Sequence, residues 1–236
     1  MDTLSDIYLF LKRPNTLERV ELKSPIQFIK WSFIYLLLMT AAISFVVTVF
    51  ITPFKYFDII QFPPRIAVPQ GLYYILLVAI IGPIIEELIF RLPLIFNRAS
   101  ILIAIVLPVF LLNKSNLFHA SIYSIITIVI GVFLLYSKFF KIFNFLENLW
   151  KNHYPIVFYF FVLLFGIIHI ANFKNITPIQ YLITPLIVAP QIIAGFFFSY
   201  VRVRYKKGLI LSTLMHIYMN SISCIIALLV SNDRLL

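Results

Sequence analysis

Residues 72–96 read LYYILLVAIIGPIIEELIFRLPLIF, an apolar stretch that nevertheless carries Glu86, Glu87 and Arg91. A helix needs about 20 mainly apolar residues to cross the hydrocarbon core of a bilayer, so this stretch predicts a transmembrane helix. A charged side chain at the bilayer centre costs at least about 2.5 kcal/mol, and those that persist usually have a function. The stretch therefore predicts both the environment of the chain and the position of its chemistry.

The composition of the whole chain also indicates a membrane protein. Of its 236 residues, 62% are hydrophobic and 12% are charged, with a mean hydropathy of +1.01. Soluble domains are about 45–50% apolar and about 25% charged. The single cysteine, Cys224, excludes an intramolecular disulfide and a zinc site built from cysteines. It lies in an apolar run and is expected to be a small core residue.

Seven apolar segments follow one another along the chain. They predict an all-α, polytopic transmembrane helical bundle of about seven spans with an active-site cavity inside the membrane. Helices are expected because backbone groups in lipid must pair within their own segment. The predicted spans are 31–53, 72–96, 101–112, 118–136, 155–172, 178–200 and 209–230. Residues 1–30 are predicted to be a cytoplasmic or interfacial segment, and residues 31–236 the transmembrane domain.

The net charge of +10 does not predict nucleic-acid binding, because the basic residues lie in short loops between apolar runs. With the N-terminus in the cytoplasm, thirteen Lys and Arg residues fall inside, five fall outside and Arg91 lies within a span. That bias follows the positive-inside rule. Membrane lipids are the expected partner. The mixed basic and aromatic residues of 138–154 are compatible with an interfacial helix and equally with an ordinary amphipathic loop. The absence of a targeting signal and the small size favour a prokaryotic plasma membrane.

The spacing of the charged residues in 72–96 predicts their roles. Glu87 and Arg91 are four residues apart, so they share a helix face and can pair. Glu86 is about 100° further round the helix, so its carboxylate can face a cavity while Glu87 is held by Arg91. Pro83, preceded by Gly82, interrupts the backbone hydrogen bonding just before the glutamates.

Two further apolar segments carry motifs with the same four-residue spacing. Phe165 and His169 are four apart in one, and His216 and Asn220 are four apart in another. Taken singly, each motif is compatible with a structural tie between helices. Together they place two carboxylates, two imidazoles and an amide in a chain with almost no other buried polarity, which favours a site.

The order EExxxR, FxxxH, HxxxN resembles the CPBP family of intramembrane peptidases. That family includes the type II CAAX prenyl endopeptidases and bacterial relatives linked to bacteriocin processing and self-immunity. The resemblance covers about residues 72–225 and extends through GFFFSYVRVRYKKGLILSTLMHIYMN, residues 195–220. It implies an Abi-like intramembrane endopeptidase whose substrate is a membrane-associated protein or peptide.

The resemblance also implies the roles of the site residues. Glu86 would activate a water molecule as general base, and His169 would help to hold that water. His216 and Asn220 would stabilise the oxyanion of the tetrahedral intermediate. Preplaced donors of this kind are worth about 3–4 kcal/mol each.

Glu87 and Arg91 would shape the site. No cofactor is expected, but two histidines and a glutamate could bind zinc and leave a position for water. The residues for such a metal would be Glu86, His169 and His216.

Two other functions are compatible with the same residues. One is a non-hydrolytic immunity protein that binds a peptide toxin, and the other is a proton-coupled transporter. The predicted depth of His169 in the membrane disagrees with a single site that contains all of these residues. The predicted spans place Glu86 and His216 roughly 10–15 Å from the cytoplasmic end and His169 roughly 20 Å from it, unless its helix is shifted or tilted.

Overall fold

The structure is a computed structural model that describes residues 3–16, 19–57, 63, 71–113, 117–136 and 142–232. This described part is almost entirely helical and contains no β-strand, which confirms the all-α prediction. Its helices are α1 (Thr3–Lys12), α2 (Pro25–Val46, continued by Val47–Ile51 and Thr52–Tyr56), α3 (Leu72–Leu76, Leu77–Ile81 and Gly82–Phe90), α4 (Arg98–Leu112), α5 (Leu117–Tyr136), α6 (Ile142–Asn152), α7 (Tyr154–Ile168, continued by the 3-10 turn His169–Asn172), α8 (Pro178–Leu182), α9 (Thr184–Ile187), α10 (Ala189–Arg204) and α11 (Gly208–Asn232).

The chain is an integral membrane protein. Among the described residues, three helices are long and apolar enough to cross a bilayer, and α4 and much of α5 are shorter apolar helices. The three are Pro25–Tyr56, Tyr154–Asn172 and Gly208–Leu228. The number of spans and the cytoplasmic position of the N-terminus stay predictions.

Prolines explain where the helices depart from the predicted spans. The span predicted over 178–200 is divided into α8, α9 and α10, and each of these begins with a proline in its first turn. A proline is tolerated there because the first N–H groups of a helix have no partner within it. The helix predicted from 31 begins at Pro25 instead, with Ser24 as its N-cap.

Two helices contain a wider, π-helical turn just before a proline. In α3 the turn covers Leu77–Ile81, and the N–H of Gly82 donates five residues back, to the carbonyl of Leu77. Pro83 has no N–H, so the α-helical pattern cannot continue through it. In α2 the turn covers Val47–Ile51, two residues before Pro53, and has the same cause.

Close approaches of backbone hold the centre of the bundle together. A Cβ added to Gly166 of α7 would lie 2.3 Å from Ile192 Cγ1 of α10, so the two helices meet at a glycine. A Cβ added to Gly208 would lie 2.4 Å from the carbonyl oxygens of Val201 and Arg202. The tight turn between α10 and α11 therefore requires glycine at this position.

The N-terminal segment packs on the same core. The Phe10 ring of α1 lies edge-on to Phe158 of α7 and Tyr200 of α10, with centroids 5.2 and 5.1 Å away. Asp6 Oδ2 accepts hydrogen bonds from the Tyr200 hydroxyl at 2.6 Å and from Arg204 Nε at 2.7 Å. Helix α1 is thus joined to α10 by both apolar and charged contacts.

Candidate active site

The carboxylate of Glu87 is the most highly connected polar group at the site. It is 1% exposed, and its Oε2 accepts a hydrogen bond from the Ser212 hydroxyl at 2.6 Å. Its Oε1 lies 3.1 Å from His216 Nδ1 and 3.4 Å from Arg91 Nε. Glu87 and Arg91 therefore pair as their spacing predicts, and the same carboxylate joins α3 to α11.

The Arg91 side chain is fully buried against aromatic rings. Its guanidinium carbon lies 3.7 Å from the centroid of the Phe165 ring and 5.4 Å from that of Phe198. None of its side-chain nitrogens makes a hydrogen bond within the described part of the chain. Its charge is therefore compensated by Glu87 and by the faces of aromatic rings.

Glu86 faces two imidazoles. Its Oε2 lies 3.8 Å from His169 Nε2 and 3.6 Å from His216 Nε2. These distances exceed the range of a hydrogen bond, and this oxygen makes none with the described residues. The Glu86 side chain is 32% exposed, whereas that of Glu87 is almost completely buried. The adjacent glutamates thus differ as predicted, since one is enclosed and the other is accessible.

The partners of each imidazole define its tautomer when the ring is neutral. His169 Nδ1 lies 2.7 Å from the carbonyl oxygen of Phe165, which only accepts, so Nδ1 donates. His216 Nδ1 donates to the carboxylate of Glu87 in the same way. In both neutral rings the proton is on Nδ1, and the Nε2 lone pair faces Glu86.

The predicted separation of His169 from the other site residues is not found. Helix α7 becomes a 3-10 turn at His169, and its first residue, Tyr154, donates a hydrogen bond to the carbonyl of Leu94 at 3.2 Å. The beginning of α7 thus lies beside the segment that follows α3. Depths counted from separate span boundaries do not refer to a common plane, so the expected difference was an artefact of those boundaries.

Asn220 lies on the same helix as His216, but its amide Nδ2 donates to the backbone carbonyl of Val78 at 2.9 Å. Val78 belongs to the π-helical turn of α3. The structure therefore joins Asn220 to the helix that carries the glutamates.

Two residues at the site were missed by reasoning from sequence. Ser212 lies one helical turn before His216 and binds the same carboxylate, but an isolated serine in an apolar helix gives no distinctive signal. Arg202 Nε donates to the carbonyl of Arg91 at 3.1 Å, where the helical part of α3 ends. The stretch around Arg202 carries part of the family resemblance, but its sequence predicts no role for this side chain at the site.

The described residues contain no group of three or more His, Cys, Asp or Glu side chains arranged to hold a metal ion. Glu86 Oε2 lies within 4 Å of one nitrogen of His169 and one of His216. Whether a metal binds there stays a prediction.

A scan against protein-family models matches residues 68–222 to the type II CAAX prenyl endopeptidase Rce1-like family. The matched range contains all six predicted site residues and about two thirds of the chain. The chain belongs to this family. The resemblance to CPBP intramembrane peptidases is thereby confirmed.

The matched family is a family of proteases. Comparisons with curated proteins and with solved structures give no match. The family range begins at residue 68, so α1 and α2 lie outside it. The roles of individual residues are not part of the match and are argued from geometry below.

We predict that Ser212→Ala destabilises the protein by about 1.5–3 kcal/mol, because it leaves one oxygen of a buried carboxylate without its donor. Equilibrium unfolding of the purified protein in detergent micelles measures this loss. Ser223→Ala is the matched control, since the Ser223 hydroxyl donates to the Met219 carbonyl of its own helix. The control should change stability by less than about 0.5 kcal/mol. Equal losses in the two variants would contradict the structural importance of Ser212.

Proposed function

We propose that the chain is an intramembrane endopeptidase that hydrolyses a peptide bond of a membrane-associated protein or peptide through water activated by Glu86. The observation that supports this most strongly is the position of the Glu86 carboxylate, 3.6–3.8 Å from two imidazole nitrogens. These gaps are too long for direct hydrogen bonds and suit a bridging water. Membership of a protease family supports the reaction class.

The neutral form of His169 orients the water. Because its Nδ1 donates to the Phe165 carbonyl, its Nε2 can accept one hydrogen of a water whose other hydrogen is directed to Glu86. The water oxygen then presents a lone pair to the substrate carbonyl carbon. As the C–O bond forms, Glu86 takes the proton as general base.

The oxyanion that forms at the substrate carbonyl requires a donor, and His216 is the nearest candidate. Its Nδ1 is occupied by Glu87, so Nε2 can donate only when the ring is the imidazolium. The Glu87 carboxylate stabilises that charged ring, and Arg91 and Ser212 hold the carboxylate in place. Collapse of the intermediate breaks the C–N bond, and the proton taken by Glu86 can pass to the leaving amine.

We expect Glu86→Gln to reduce hydrolysis by about a hundredfold or more, because the amide cannot accept the proton of the water. The measurement is cleavage of an internally quenched, farnesylated CAAX-type peptide by the protein in lipid nanodiscs. Glu21→Gln is the control: this glutamate is exposed and pairs with Lys206 away from the site.

A comparison that needs no chosen substrate complements this assay. Membranes from cells carrying the wild-type or the Glu86→Gln chain are compared for protein termini, and the wild type should contain termini that the variant lacks. Identical sets of termini would reject the peptidase function. If cells carrying the Glu86→Gln chain still resisted a peptide toxin, an immunity role by binding would be favoured instead.

The reaction is proposed to be independent of a metal. Hydrolysis by the wild-type protein should persist after dialysis against a zinc chelator, with a known zinc peptidase treated in parallel as the positive control for metal removal. Loss of activity with recovery on adding Zn²⁺ would reject this part of the proposal. Such a result would point to Glu86, His169 and His216 as ligands around a water-bearing ion.

We also propose that the N-terminus lies in the cytoplasm, which the excess of basic residues on one side supports, and that the membrane is a prokaryotic plasma membrane. A Cys224→Ser background permits a labelling test with a membrane-impermeant maleimide. Lys55→Cys should react in intact cells, and Lys12→Cys should react only after permeabilisation. Both lysines are exposed in the structure. The reverse pattern would invert the proposed orientation.

A further inference from the structure

The backbone carbonyl of Val78, near the site, has no hydrogen-bond donor within the backbone of its own helix. In an α-helix the Val78 carbonyl would accept from the N–H of Gly82, but that N–H donates to Leu77 instead. In a π-helix the carbonyl would accept from position 83, which is a proline and has no N–H. Helix α3 thus has no N–H for this oxygen in either pattern.

Asn220 supplies the missing donor. Its Nδ2 lies 2.9 Å from the Val78 oxygen, a good hydrogen-bond distance. Inside a bilayer an unpaired carbonyl is costly, so this bond stabilises the π-helical turn. The turn exists because of Pro83, and Asn220 is the side chain that completes it.

The bond is the second of two ties between α3 and α11. Near the end of α3, Glu87 is bound by Ser212 and His216, and earlier in α3 Val78 is bound by Asn220. From Ser212 to Asn220 is eight residues, or about 12 Å of helix, and from Val78 to Glu87 is nine. The wider turn, Leu77–Ile81, contains the Val78 tie and extends toward the Glu87 tie, so it takes up the extra residue of α3.

We infer that Asn220 is a positioning residue, which holds the Val78 carbonyl and thereby fixes the rotation of α3 that points Glu86 at His169 and His216. This inference rests on the proposed function. It departs from the oxyanion role that the family resemblance implies for Asn220. The two roles differ in what must happen when the proline is removed.

The first test combines two substitutions. Pro83→Ala restores an N–H at position 83, so the α-helical pattern can close and Gly82 can donate to Val78 again. In the chain that keeps Pro83, Asn220→Ala should reduce kcat by about ten- to a hundredfold, because Glu86 is misdirected. KM should change by less than about twofold. In the Pro83→Ala background the same substitution should cost less than about threefold.

The assay is hydrolysis of the farnesylated CAAX-type peptide, normalised to folded protein. A direct oxyanion donor would be needed equally in both backgrounds, so equal losses would overturn the inference. An unchanged kcat in Asn220→Ala alone would also overturn it. A suppressed loss supports it.

A second measurement does not depend on activity or on the folding of the proline variant. The dipeptide Val-Ala occurs twice in the sequence, at Val78–Ala79 and at Val188–Ala189. Labelling valine with carbonyl ¹³C and alanine with ¹⁵N therefore gives two carbonyl–amide NMR signals. Asn220→Ala should move the Val78 carbonyl signal upfield through loss of its hydrogen bond and leave the Val188 signal in place. An unmoved Val78 signal would overturn the inference.

The two measurements also separate the inference from the proposed function. If Glu86→Gln retains activity, the glutamate mechanism fails even where the Val78 signal moves. If Glu86→Gln is inactive but the Val78 signal does not move, only the inference about Asn220 fails.

Discussion

The site depends on the ionised carboxylate of Glu87 being held within the bilayer. Burial of a charge in a bilayer is tolerated when the charge is paired and its oxygens are bound. Here Arg91 comes from the same helix, and Ser212 and His216 come from α11. The carboxylate therefore compensates a buried arginine, joins two helices and sets the orientation of an imidazole. Loss of one partner of such a buried pair typically costs about 3–5 kcal/mol.

An aromatic ring organises the other side of the same group. The ring centroid of Phe165 lies 3.7 Å from the Arg91 guanidinium carbon, 4.6 Å from the His169 ring and 5.7 Å from the His216 ring. Because its backbone carbonyl also accepts from His169 Nδ1, this residue fixes both the tautomer and the packing of that histidine. Charge and ring contacts converge on one side chain, so the relative positions of the two imidazoles are strongly constrained.

Much of the site could be predicted from sequence because the bilayer makes polar residues conspicuous. In a chain that is 62% hydrophobic, Glu86, Glu87 and His216 stand out, and four-residue spacings within a helix place side chains on one face. The family match over residues 68–222 confirms the resemblance that these motifs carried. Contacts between different helices were harder to predict from the sequence. Ser212 has no signature of its own, and the depth of His169 depends on where α7 begins relative to α3, which no spacing within a helix reports.

The N-terminal segment covers part of the helical core that the matched range forms. Residues before 68 lie outside the family match, yet Phe10, Asp6 and Tyr35 all pack against α10 or the turn after it. Val20 even pairs through its backbone with Arg204 and Lys206. A chain trimmed to the matched range would expose the aromatic flank of α10 and remove the Asp6 carboxylate from Arg204. The boundary of the family match is therefore not the boundary of the folding unit, because residues before 68 complete the packing of residues within the matched range.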